Sequence, residues 1–87
     1  MFKITERKGF HITFANGYTV SVQFGYGNYC DNRNKGAYGG DVDPSTTAEV
    51  AAWDENNNWY KLGDFDDAVG HQTPAEVLAI MNRVAAL

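Results

Sequence analysis

The chain has 87 residues, seven Lys and Arg against eleven Asp and Glu, and a net charge of −4. With a pI of about 4.8 it lacks the clustered cations of a phosphate-backbone binder, so no direct nucleic-acid binding is expected. A hydrophobic content of 44% is too high for disorder, and the length has room for one domain (residues 1–87) around one core.

The N-terminal stretch Met1 to Phe10 alternates apolar and polar residues and has no signal-peptide core. No apolar run approaches the roughly 20 residues of a membrane span. The expected address is therefore the cytoplasm. Cys30 is the single cysteine, so no intramolecular disulfide can form. A core this small is marginal, and assembly into a homo-oligomer is one way to enlarge it.

Phe2, Ile4, Phe10, Ile12, Phe14, Tyr18, Val20, Val22 and Phe24 recur at period two, with polar residues between them. This is the pattern of half-buried strands with their even-numbered residues toward the core. Asn16-Gly17 resembles a two-residue hairpin turn, but such a loop would set Phe14 opposite Thr19, core against solvent. A three-residue loop, Ala15-Asn16-Gly17, pairs Phe14 with Tyr18 and Ile12 with Val20, with Gly17 in the left-handed position of a bulge. The same device at Arg7-Lys8-Gly9 pairs Glu6 with Phe10 and Ile4 with Ile12.

Five of the nine glycines fall within residues 25–45, where alternation stops. It resumes at Ala48, Val50 and Ala52, and again at Tyr60 and Leu62. A five-residue loop, Asp54 to Asn58, pairs Trp53 with Trp59 and Ala52 with Tyr60. Thr73-Pro74-Ala75-Glu76 is a capping box with proline at the first helical position. Val77, Ile80, Met81, Val84 and Leu87 follow it at helical spacing. The expected architecture is α+β: a five-stranded antiparallel sheet, meander plus hairpin, with one C-terminal helix packed on one face.

The segment after Phe24 concentrates side chains that bind ligands. Tyr26 and Tyr29 offer rings for stacking. Asn28, Asp31 and Asn32 offer hydrogen-bonding edges, and Arg33 offers a fork for a phosphate or carboxylate. The bland reading is a self-bonded loop in which Asn and Asp close turns. Trp53 and Trp59 sit at odd positions, away from the helix. They form either a platform for a ligand, a partner or a second subunit, or a cross-strand pair that stabilises its own hairpin.

Asp41, Asp43, Asp64, Asp66 and Asp67 lack the calcium-loop spacing and read as solvated acidic loops. His11 and His71 belong to no zinc motif. No nucleophile elbow or paired-carboxylate signature is present. Neither enzyme activity nor a metal or cofactor is expected.

The run Phe14 to Gly25, followed by Gly27-Asn28-Tyr29-Cys30-Asp31-Asn32-Arg33, resembles a group of small uncharacterised phage and prophage proteins. Ser45 to Ala51 and the short C-terminal helix are similar to that group as well. The resemblance implies a small phage-type accessory protein directed against host defence, acting in the cytoplasm of a bacterial host. Two readings follow from different classes. In the first, the loop binds and sequesters a small nucleotide-like ligand through Tyr26, Asn28, Tyr29, Asp31, Asn32 and Arg33. In the second, the chain inhibits a host defence protein, in the manner of an anti-CRISPR protein, by binding it through acidic loops and the exposed Trp53 and Trp59. A structural phage component is the third reading.

Overall fold

Period-two alternation builds the sheet as expected. The computed structural model describes residues 1–35, 44–64 and 66–87; Asp41 and Asp43 lie outside them. Strands β1 (Phe2–Thr5), β2 (Gly9–Thr13), β3 (Thr19–Gln23) and β4 (Ala48–Trp53) run antiparallel in that order. Along the far side of β4 lie β5 (Trp59–Tyr60) and β6 (Ala68–Gln72). Helix α1 (Pro74–Ala85) packs on β3, β4 and β6.

The second hairpin forms in the expected register. Ile12 pairs with Val20, the Phe14 amide donates to the Tyr18 carbonyl at 2.9 Å, and Gly17 has φ of 88°. Its neighbour Asn16 does more than turn the chain. The Asn16 Oδ1 accepts from the Tyr18 amide at 3.0 Å, and Nδ2 donates to the carbonyl of Val84 at 2.9 Å and that of Ala85 at 3.3 Å. The carbonyls at the end of a helix lack intrahelical partners, so one turn residue both shapes a hairpin and fastens the helix end to it.

The first hairpin departs from expectation. Its loop is Glu6-Arg7-Lys8, and Ile4 pairs with Phe10 rather than Ile12, while Phe2 takes Ile12. Glu6 and Arg7 have φ of 45° and 63°, the sign a type I′ turn needs at both central residues, and the Lys8 amide closes the turn on the Thr5 carbonyl at 2.7 Å. The register moves by two, so facing is preserved. Gly9 is freed from the turn and serves the sheet: a Cβ there would lie 1.9 Å from the Val22 carbonyl oxygen. Above it the Gln23 amide reaches two strands away, to the Thr5 hydroxyl, at 2.7 Å.

Six strands form where five were expected. Ala68-Val69-Gly70-His71-Gln72 has one large apolar residue and no readable alternation. It is also irregular, with a register shift opposite Ala48 to Val50 and a His71 φ of 52°. The β4–β5 hairpin matches expectation, pairing Trp53 with Trp59 and Ala52 with Tyr60.

Both halves of the capping box are present. The Glu76 amide donates to the Thr73 hydroxyl at 3.3 Å, and the Thr73 amide donates to the Glu76 carboxylate at 3.0 Å. Ile80 and Val84 of α1 close the core over Val20, Val22, Val50 and Ala52. Val77 and Met81 flank them half-buried, and Leu87 lies past the helix end, exposed.

Candidate binding face and the glycine-rich loop

Residues 25–35 fold back on themselves, and most of their polar side chains bond within the protein. Asn28 Oδ1 accepts from the Gly25 amide at 3.1 Å. Asn32 is buried, and its Nδ2 donates to the Phe24 carbonyl at 3.0 Å. Cys30 is also buried, its thiol directed at the Gly25 carbonyl 3.7 Å away.

Asp31 fastens the loop to the strand leading into β4. Its Oδ2 accepts from the amide and hydroxyl of Thr46, and its Oδ1 from the Thr47 hydroxyl at 2.9 Å. The Thr46 hydroxyl, then that of Thr47, hold the Asp31 carboxyl below the usual carboxylate range, because donors aimed at an ionised carboxylate favour its charged form.

Tyr26, Tyr29 and Arg33 remain exposed. Folding brings the last two together, with the guanidinium 4.6 Å from the centre of the Tyr29 ring, a cation–π contact. The Tyr29 carbonyl accepts from the His71 amide at 2.9 Å. Gly70 admits it closely: a Cβ on Gly70 would lie 2.7 Å from that of Tyr29. Six residues singled out in the sequence thus divide. Asn28, Asp31 and Asn32 bond into the frame, whereas Tyr26, Tyr29 and Arg33 face solvent.

The odd-numbered residues of β2, β3 and β4 share the sheet face opposite α1. A polar ladder crosses it, with Thr13 and Thr19 hydroxyls 2.9 Å apart and the Gln23 amide donating to Ser21 at 3.2 Å. At one end stands an aromatic cluster. The Trp53 ring meets Trp59 edge-on at 5.6 Å between centroids and His11 at 5.0 Å. Trp59 is 58% exposed, and Trp53 is half-buried between its neighbours. The expectation of two exposed tryptophans is corrected to one exposed and one supporting ring. Burial, then the nearby Lys3 charge, holds His11 below the ordinary imidazole range.

At the other end lies a recess of about 540 Å³, lined by Tyr29, Glu49, Asp66, Asp67, Gly70 and His71. Glu49 and Trp53 are four residues apart on β4, roughly 13 Å at strand rise. One face therefore carries an aromatic cluster, a ladder of hydroxyls and an acidic recess. Sequence reasoning placed Trp53 and Trp59 there but missed His11, Glu49 and the recess. Parity alone would have put His11 and Glu49 on the same face as Trp53, whereas the β6 side needed an irregular strand that alternation does not reveal.

Among the described residues, no group of His, Cys, Asp and Glu could hold a metal ion, and no helix is long and apolar enough to cross a membrane. Comparison with protein-family models, with curated proteins and with solved structures gives no match.

Proposed function

We propose that the chain is a non-enzymatic protein-binding inhibitor that uses its open sheet face. The carrying observation is the Trp59–Trp53–His11 cluster standing on the same face as the carboxylates Glu49, Asp66 and Asp67. An aromatic anchor beside a charged rim is the usual anatomy of a protein-binding surface. Carboxylates at the rim, and a net charge of −4, favour a basic partner and speed its encounter. The resemblance to small phage proteins favours a host defence protein as the class of target.

The test is capture of a host protein on the immobilised chain, followed by calorimetry with the purified partner. Trp53→Thr combined with Trp59→Thr is expected to weaken binding at least tenfold at an unchanged circular dichroism spectrum, and added salt to weaken the parent complex. Equal affinity of parent and double variant would remove the reading.

Sequestration of a small nucleotide-like ligand keeps one supporting observation, the solvent-facing pair of Tyr29 and Arg33 at 4.6 Å. That contact already occupies one face of the ring, and the neighbouring recess is acidic, which disfavours a phosphate. A small molecule co-purifying with the parent in native mass spectrometry, and lost from Arg33→Ala, would favour this second reading.

A further inference from the structure

Among the described residues, the helix-side face of the sheet is covered only in part. Phe2 and Ile4 of β1 share that face with Phe10 and Ile12, yet α1 sits over β3, β4 and β6, leaving Phe2 76% and Ile4 79% exposed. Between the sheet and α1 runs a groove of about 450 Å³, with Phe10, Val22 and Phe24 along the sheet, Val77, Leu78 and Met81 along the helix, and the segment Pro44 to Ala48 with Gln72 as a further wall. Leu78 on its rim is 57% exposed. An apolar ridge and an apolar groove thus lie side by side on one surface, with no charged side chain among these residues.

We infer that this surface is an isologous interface between two copies of the chain, the β1 ridge of each seated in the sheet–α1 groove of the other. A two-fold operation needs a surface complementary to itself, and adjacent ridge and groove meet that need. The area is sufficient. At the roughly 150–250 Å² of a large side chain, the open parts of Phe2, Ile4 and Leu78, with the half-buried residues beside them, amount to on the order of 500 Å² per copy. That lies within the range of the largest apolar patch on a monomer, and doubling it reaches the roughly 1,000 Å² expected of a specific interface.

Lys3 decides between face packing and sheet extension. The register that pairs β1 along its length with a second β1, Phe2 opposite Ile4, would set the two Lys3 side chains directly opposite each other, a like-charge clash that blunts an edge strand. Lys3 faces away from the ridge, so packing by the apolar face avoids the clash. Because no charged side chain lines the groove, screening the repulsion between two chains of charge −4 tightens the dimer. The two aromatic faces then point outward, giving a bivalent particle.

Sedimentation of the full chain across micromolar to millimolar concentrations tests this. The parent is expected at twice its 9.6 kDa mass, persisting or strengthening in high salt. Ile4→Lys on the ridge and Leu78→Glu on the groove rim are each expected to yield a monomer. Their melts and circular dichroism should stay close to those of the parent at concentrations where it too is monomeric. Trp59→Thr is expected to leave the dimer intact. A parent that stays monomeric throughout overturns the inference, as does a dimer that survives both charge substitutions or that Trp59→Thr dissolves.

Discussion

The two faces of the sheet are built from the same strands and do different work. On the helix side, Val20, Val50, Ala52 and Val84 are fully buried, and each position is set by packing. On the open side, the Thr13 and Thr19 hydroxyls bond each other and the Gln23 amide bonds Ser21, leaving the aromatic cluster and the carboxylates at either end facing outward. An interior position is sensitive to volume because close packing leaves nothing to fill a void. A position on the open face is sensitive to what arrives from solution. Stability and binding should therefore separate by face.

The largest expected break is on the helix side. Ile80→Ala removes a side chain that closes the core over β3 and β4, and unfolding in denaturant should register a loss of about 2–4 kcal/mol. An undiminished midpoint would mean that α1 does not seal the core.

Next is the turn between the faces. Gly17 at φ of 88° occupies a region that costs a β-branched residue about 1–2 kcal/mol. Gly17→Val should lose that much stability and Gly17→Asn less. Smaller again is Asn16→Ala, which gives up the side-chain bond to the Val84 carbonyl. A loss of about 1 kcal/mol, with faster amide exchange in the last turn of α1, would show the turn holding the helix end.

The smallest effect belongs to the open face itself. Burial and Lys3 depress the His11 pKa, so the unfolded chain takes up this proton before the native state as pH falls. That contribution to stability is full above about pH 7 and declines through the ordinary imidazole range near 6.5. Melts of His11→Gln should show a flatter dependence between neutral pH and pH 5 than the parent. An unchanged slope would place the proton elsewhere.

The two hairpins show what could be read ahead of the structure. At Ala15-Asn16-Gly17, parity excluded the two-residue loop, and glycine marked the left-handed position. At Glu6-Arg7-Lys8 the same parity rule was satisfied by two registers that differ by two residues. Gly9 pointed to the wrong one, because it answers to the approach of the Val22 carbonyl rather than to the turn. Such a demand comes from a strand distant in sequence. β6 was invisible for a related reason: one Val, one Gly and a left-handed His71 give no alternation, and pairing with β4 supplies the strand.

The site shows the same division. Odd numbering put Trp53 and Trp59 on the open face. Composition of the loop could not tell that Asp31 turns to Thr46 and Thr47 while Arg33 turns to Tyr29, since amides and carboxylates that close turns look the same in sequence as those that bind ligands.

The chain has two tryptophans and so two indole N–H signals, one from each position of the aromatic cluster. The most direct test follows them in a ¹H–¹⁵N spectrum while the captured partner is added. Both indole signals should shift or broaden together with backbone amides of His11 and Glu49, and Tyr26 and Arg33 should stay in place. Unmoved indoles, with the perturbation confined to residues 26–33, would contradict a binding face built on the open side of the sheet.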